Sequence, residues 1–469
     1  MQTPHIRDYQ GKRVHMIGIG GSSMSGLAQM LLEKGYKVSG SDNVRSHTVE
    51  KLEAMGIPVV VGHREENVHG ADVAVYSAAI LPDNPERMEI KRLMIPNMER
   101  AVLLGQLMEG YPVAVGISGT HGKTTTTAML SQILMEGGLD PTIHIGGRLD
   151  AVGGSTRIGE GDAFIAEACE FSGSFLHMRP TIAVVLNIEE DHLDYYRDID
   201  DIQDAFGKYL ALLPKNGLAI GWGDDFRVMK LFESLPRETQ TFGFGAKNDW
   251  QPAGLNYDTQ GRGDFDLAYK GKKLCHVEMA VPGEYNVLHG LVALACAYRL
   301  DADMEQAAAS LSRFSGVRRR FELTGIVQGV KLYHDYGHNP AEMRYALSVA
   351  KLQPHNRLWA VMQPHTYSRV KRLFNDYLTC TSEADITLVT DIYAAREKDP
   401  GDIHASMVVK GMRDHGIDAH LTPTFNDTEA YLRSHWQPGD LVITMGCGNI
   451  NLLNEQIEKN ERKAMDQGL

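Results

Sequence analysis

The run Gly119-Thr120-His121-Gly122-Lys123-Thr124-Thr125-Thr126-Thr127 has the residue types and the order of a phosphate cradle. It follows an apolar stretch, Val113 to Ser118, that reads as a strand, and it precedes an amphipathic stretch that reads as a helix. A glycine-rich turn between two such elements aims backbone N–H groups and a helix N-terminus at one point, where negative charge is stabilised. In that frame Gly119, Thr120, His121 and Gly122 form the cradle. Lys123 reaches the β- and γ-phosphates of a nucleoside triphosphate, and the hydroxyl of Thr124 or Thr125 holds Mg2+. One departure from the usual spacing is Ile117, which stands where an earlier glycine is expected.

A second glycine-rich turn, Gly18-Ile19-Gly20-Gly21 with Gly26 and Asp42 further on, resembles a dinucleotide fingerprint, although Ser23 occupies its third glycine position. The glycines would let a diphosphate approach the backbone, and Asp42 at a strand end could accept from a sugar hydroxyl. Three readings of this turn stand: NAD(P), a nucleotide-diphosphate sugar, or close packing alone. The downstream phosphate cradle moves the balance toward a nucleotide-linked substrate.

Carboxylates and imidazoles gather at other strand ends. Glu167 ends a strand read as parallel to the cradle's own and would face Mg2+, with Glu170 as the alternative. His192, in the run Asn187 to Asp194, lies past another such strand, where it could serve a metal or a phosphate oxygen. Within Arg318-Arg319-Arg320 one guanidinium could neutralise a phosphoryl group in a transition state. Asp335 could bind a ribose or capture an amine, or it could simply cap the next helix. Arg396 could hold a small carboxylate bidentately, or pair at the surface with Glu397 or Asp399.

The elements that must position these residues fall into three α/β blocks. The first has strands at Arg13–Ile17, Lys37–Asp42 and near 71–77. The second has strands at 113–118, 163–167, 182–186 and 218–220, a β-hairpin appendage over about 250–281, and a helix over about 286–299. The third has strands at 331–335, 358–362, 386–389 and 441–444. Strand–helix–strand alternation at this spacing predicts parallel sheets with right-handed crossovers. The fold class is therefore α/β in three domains: a Rossmann-like N-terminal domain (1–109), a central P-loop domain with a parallel sheet (110–316) and a Rossmann-like C-terminal domain (317–469).

Bulk properties narrow the partners. The chain has 469 residues, 43% of them hydrophobic and 23% charged, with a net charge of −13. An acidic chain of this kind argues against nucleic acid or an anionic membrane as partner. No stretch approaches the ~20 apolar residues of a membrane span. The opening segment has no apolar core, so no signal peptide is expected. Five scattered cysteines without paired spacing fit a reducing cytoplasm and no structural zinc site.

Taken together the motifs resemble those of the Mur ligases, the ATP-dependent enzymes that build the peptidoglycan peptide stem. The likeness is carried by Gly18-Ile19-Gly20-Gly21 with Met24-Ser25-Gly26, Ser77-Ala78-Ala79-Ile80 with Asn84-Pro85-Glu86, and the Gly119-to-Thr127 run. Asp335-Tyr336-Gly337-His338 and Gln363-Pro364-His365-Thr366-Tyr367-Ser368-Arg369 complete it. The resemblance is strongest to members that join L-alanine to UDP-N-acetylmuramate, with the recycling members that add a preformed tripeptide as the alternative. An NAD-dependent oxidoreductase and a non-catalytic ATP-gated sensor are the rival classes.

The resemblance implies ATP and Mg2+ as cofactors, a cytoplasmic location, and a monomer or homodimer. It implies UDP-substrate contacts from Gly18, Gly20, Gly21, Ser22, Asp42 and Ser77. ATP contacts would come from Gly119 to Thr125, Asn286, Arg320 and Asp335, and metal contacts from Thr124, Glu167 and His192. Catalysis would fall to Lys123, His192 and Arg320, and L-alanine binding to His338 and Arg396. Two departures touch those roles: His289 stands where the family has a second asparagine, and Asn339 where it often has a second histidine.

Overall fold

The computed structural model describes residues 3–192 and 195–466, so Asp194 of the run around His192 lies outside the described residues. Three sheets carry the chain, and they divide between two compact units. The first unit holds residues up to Leu255 with Phe265–Met279 and Tyr285–Phe314. The second holds Asn256–Asp264, Ala280–Glu284 and the residues from Ser315 onward.

The N-terminal sheet is built from β1 (Arg13–Ile17), β2 (Lys37–Asp42), β3 (Val59–Val61), β4 (Val73–Tyr76) and β5 (Asn97–Glu99), in the order β3-β2-β1-β4-β5. Its strands pair in parallel. Helices α1 (Ser22–Glu33), α2 (His47–Ala54), α3 (Pro85–Leu93) and α4 (Arg100–Met108) connect or follow them. The strand order reverses beside β1, so the glycine-rich turn from β1 to α1 opens at the switch point, where doubly wound sheets bind ligands. Helix α1 starts after Gly21 with no side-chain cap, which leaves its first N–H groups to a ligand.

The central sheet begins with β6 (Val113–Ser118), whose buried Val-Ala-Val-Gly-Ile-Ser run leads into α5 (Lys123–Glu136). Strands β7 (Thr142–Leu149), β8 (Gly154–Arg157) and β9 (Ala163–Glu167) follow, then β10 (Ile182–Val185), β11 (Leu218–Trp222) and β12 (Glu238–Phe242). Helices α6 (Ile199–Leu210) and α7 (Phe226–Glu233) separate the last of these. Around β6 the pairing is parallel, to β9 on one side and β10 on the other.

The expected hairpin appendage is instead three strands, β13 (Trp250–Tyr257), β14 (Arg262–Tyr269) and β15 (Lys272–Pro282), that extend the same sheet to ten. Trp250 is the reason. Its parallel pairing to Phe242 and its burial draw the first of these strands onto the sheet edge. Helices α8 (Glu284–Arg299) and α9 (Met304–Leu311) close this part of the chain.

The C-terminal sheet has six strands: β16 (Glu322–Val327), β17 (Val330–Asp335), β18 (Leu358–Met362), β19 (Ile386–Val389), β20 (Ala419–Leu421) and β21 (Leu441–Met445). The order β16-β17-β21-β18-β19-β20 is parallel apart from the β16–β17 edge. The expected α/β class with three sheets is therefore what the chain adopts.

Candidate active site

Gly122 caps α5 with φ +85°, a left-handed conformation that favours glycine, and α5 has no side-chain cap. A Cβ at Gly122 would meet the His289 ring, 2.9 Å from Cδ2 and Cε1 and closer still to Nε2. The cradle is pinned from the neighbouring strand. His121 N donates to Asn187 Oδ1 at 2.8 Å, Thr120 N donates to the Asn187 carbonyl at 3.2 Å, and Glu189 N donates to Thr120 Oγ1 at 2.9 Å. The segment after β10 thus fixes the turn after β6, a pairing of distant residues that preorganises the amides for an anion.

Lys123 Nζ donates to the carbonyls of Gly119 and Thr120 and to both Glu170 oxygens, at 2.9 and 3.1 Å. Burial alone would depress the ammonium's pKa, but the Glu170 charge, with help from its neighbours, raises it above the ordinary lysine value. Lys123 is therefore a buried cation whose counter-charge lies in the next loop. Glu170 Oε1 also stands 3.7 Å from His192 Nε2, and Tyr196 OH donates to the Glu170 carbonyl at 2.6 Å.

Glu167 Oε1 accepts from Gly146 N at 2.8 Å and its charge acts on Lys123, while Glu170, the alternative carboxylate, contacts both Lys123 and His192. The Thr124 hydroxyl is buried at the start of α5. Thr124, Glu167 and Glu170 offer hard oxygen donors, which suits Mg2+. His192 adopts φ +50° and packs its ring 4.9 Å from that of Phe171. Asn286 and His289 sit on α8, with Asn286 Oδ1 3.3 Å from His289 Nδ1.

In the second unit, Asp335 ends β17 and is committed to backbone. Phe321 N donates to its Oδ2 at 2.8 Å and Gly337 N to its Oδ1 at 2.7 Å. Burial raises its pKa, against the opposing pull of Arg320 and those two N–H groups. It is not the helix cap: Asn339 caps the helix Pro340–Lys351 in a capping box with Glu342. Of the arginine trio, Arg319 is held inward by His334 and the Gly448 carbonyl, while Arg320 lies over the Tyr336 ring at 5.0 Å.

The His338 ring meets those of His365 and Tyr336, each at 5.8 Å, and Arg369 Nη1 lies 3.1 Å from His365 Nδ1. Burial, then His338 and Arg369, push the His365 pKa down to about 4. Arg396 is exposed, and Glu397, one of its expected partners, is bonded to Ser368 instead. The structure thus groups His338 with His365 and Arg369. Sequence reading had named His338, and had only the run from Gln363 to Arg369 as a signal for the other two.

Three family profiles match successive parts of the chain. The profile described as "Mur ligase family, catalytic domain" matches residues 13–112, "Mur ligase middle domain" residues 117–297, and "Mur ligase, glutamate ligase domain" residues 319–448. The chain belongs to the Mur ligase family. The UDP-N-acetylmuramate–L-alanine ligase of Acetivibrio thermocellus is 44% identical over 452 residues, covering 96% of this chain and 96% of that protein.

Among solved structures, a UDP-N-acetylmuramate–alanine ligase from Thermotoga maritima shares the fold with a TM-score of 0.80 at 24% identity, over 97% of this chain and 100% of that one. A murein peptide ligase from Psychrobacter arcticus does so with a TM-score of 0.71 at 23% identity, over 96% and 98%.

In this Mur ligase chain the N-terminal turn is set as closely as the cradle. Asp42 Oδ2 accepts from Gly20 N at 2.9 Å and its Oδ1 from Val44 N at 3.2 Å, so the carboxylate shapes the turn expected to bind a diphosphate. Gly18 takes φ +76°, and the Ser77 hydroxyl accepts from Ala79 N at 3.2 Å. The Ser22 carbonyl accepts from Ser25 and Ser155. Sequence reading missed Arg100 and His144, which meet at Ser23, because neither stands in a motif.

Proposed function

We propose that this Mur ligase is the ATP-dependent enzyme that joins L-alanine to UDP-N-acetylmuramate in peptidoglycan precursor synthesis, releasing ADP and phosphate. The observation that carries the reading is the charged, buried Lys123 in a preorganised cradle, in a chain 44% identical throughout its length to an L-alanine-adding ligase. The tripeptide-adding alternative has less behind it.

The chemistry follows from the parts. A carboxylate oxygen of the sugar acid attacks the γ-phosphorus of ATP, the bond to the β-phosphate oxygen breaks, and an acyl phosphate and ADP result. The amine of L-alanine then attacks the acyl carbon, the tetrahedral intermediate expels phosphate, and the amine proton is lost. Lys123 would stabilise charge on the transferring phosphoryl group, and the α5 amides would hold the triphosphate. Bound Mg2+ would supply further positive charge at the phosphates, held by Thr124 and Glu167 with His192 nearby, and with Glu170 once it leaves Lys123.

Gly18, Gly20, Gly21, Ser22, Asp42 and Ser77 are proposed for the UDP group, and Asn286 for the adenine side. In the second unit Arg320 and Asp335 are proposed for nucleotide, and His338 and Arg396, together with Arg369, for L-alanine. The proposed division at 109/110 and 316/317 separates these duties. No helix among the described residues is long and apolar enough to cross a membrane, and we place the enzyme in the cytoplasm.

The test is turnover. With UDP-N-acetylmuramate and Mg-ATP, ADP release should require L-alanine and should not respond to a preformed tripeptide. ADP release with the tripeptide alone would overturn the assignment.

A further inference from the structure

One half-buried cation near the active centre makes no ion pair among the described residues, with Glu99 within electrostatic range as a partial counter-charge. Arg100 opens α4 in the first unit, and its guanidinium reaches the start of α1. Its Nη1 donates to Ser23 Oγ at 2.9 Å, and that hydroxyl lies 2.7 Å from His144 Nε2 on β7. His144 Nδ1 in turn lies 3.2 Å from Thr156 Oγ1 on β8. His144, neutral or cationic by its chemistry, offers no counter-charge, and burial with the nearby Arg100 pushes its pKa down to about 3, so it adds no second positive charge.

Among the described residues no carboxylate forms an ion pair with Arg100, and Ser23 is its one side-chain acceptor. A guanidinium has several N–H donors in a planar fork that matches a carboxylate or phosphate. Ser23 takes up one of those donors, so the half-buried fork keeps N–H groups that suit an anionic ligand.

The location narrows which anion. Arg100 reaches the first turn of α1 through Ser23, on the side of the glycine-rich turn that faces the central sheet. The Cys169 thiol lies within electrostatic range of Arg100 and also of Lys123. The open N–H groups of α1 already suit a diphosphate, and the guanidinium lies beside that turn, with Cys169 as a neighbour it shares with the cradle's Lys123. On the proposed function, the acid that accepts the γ-phosphoryl group lies between the sugar-nucleotide turn and the phosphate cradle. Two anions are brought together there, and a fixed cation offsets their repulsion.

We propose that Arg100 binds the carboxylate of the sugar-nucleotide substrate, holding one oxygen so that the other faces the γ-phosphorus. This rests on the proposed function, whose sugar substrate carries that acid. Ser23 sets the fork's direction, and His144 and Thr156 hold Ser23 from the central sheet.

The experiment compares two ligands by calorimetry on the full-length protein: UDP-N-acetylmuramate, which carries the carboxylate, and UDP-N-acetylglucosamine, which has the same diphosphate without it. Arg100→Met should weaken the muramate by roughly 10–100-fold and leave the glucosamine within about twofold. Arg100→Lys, which keeps the charge but not the fork, should fall between, and it serves as the deciding variant if Arg100→Met does not fold. An equal loss for both ligands would assign Arg100 to the diphosphate and overturn the proposal, and so would no loss for either. Wild-type protein that binds neither sugar nucleotide would instead remove the functional reading beneath it.

Discussion

Replacing Gly122 with alanine tests whether the phosphate cradle is shaped by packing as well as by sequence motif. The residue has φ +85°, so a Cβ there costs about 1–2 kcal/mol from backbone strain alone. The added methyl would also be driven into the His289 ring, 2.9 Å from two of its carbons and closer to Nε2. The ring is buried and cannot swing into solvent, so overpacking adds about 1–3 kcal/mol. The sum is a destabilisation of about 2–5 kcal/mol. A shift of the cradle by ~1 Å would lower turnover by on the order of 100-fold as well.

His289→Ala separates the two contributions. In the double variant the clash is gone and the strain remains, so the coupling between the sites should be about 1–3 kcal/mol in the stabilising direction. Urea unfolding followed by tryptophan fluorescence reads this out, because Trp222 and Trp250 both lie in the first unit. Costs that simply add, or a Gly122→Ala protein with wild-type stability and turnover, would refute the packing account.

Two further outcomes are expected. Lys123→Met should lower ADP release by about 100–1,000-fold while leaving UDP-N-acetylmuramate affinity within about twofold; retained turnover would remove Lys123 from phosphoryl transfer. Acid stability should depend on Glu86, which is buried and accepts from His15, Ser41, His63 and Asn67. Burial alone would raise its pKa, but those hydrogen bonds hold it at about 2, below the 4.5 of a free glutamate. Its contribution, about 3 kcal/mol from the size of that shift, is therefore full above the unfolded pKa and lost as pH falls from 4.5 through about 2. Urea midpoints measured across that window should fall steeply for the wild type and more gently for Glu86→Gln; parallel profiles would exclude the Glu86 network as the cause.

The parts of this fold legible in the sequence are those whose signal is local. The strand Val113–Ser118 is apolar over its whole length and is followed at once by the glycines and Lys123, so strand, turn and helix could be placed together. The strands Thr142–Leu149 and Gly154–Arg157 went unread because their glycines and polar residues look like a loop. They form strands because Thr142 to His144 pair with Phe164 to Ala166 and the second strand folds back on the first. Glu170 was only an alternative to Glu167, since position along a strand end says nothing of which carboxylate turns toward Lys123. Arg100 was invisible for the same reason: its defining neighbours, Ser23, His144 and Cys169, are distant in sequence, and one arginine before an ordinary helix carries no pattern.

Glycines show most clearly why a correct motif can still be read for an incomplete reason. Gly26 belongs to the fingerprint read as a diphosphate turn, yet it lies inside α1, where a Cβ would stand 2.8 Å from Thr156 Cβ and closer to its hydroxyl. Its task is to let α1 approach β8. That approach brings Ser23, three residues earlier on the same helix, within reach of His144 and Arg100. Gly122 likewise serves the cradle and also makes room for His289. In both places the absent side chain lets a second layer of structure press close to the backbone proposed to bind phosphates. The alignment of amides in each turn therefore depends on a residue more than a hundred positions away, and substitutions at Thr156 or His289 should be felt at the phosphates they never touch.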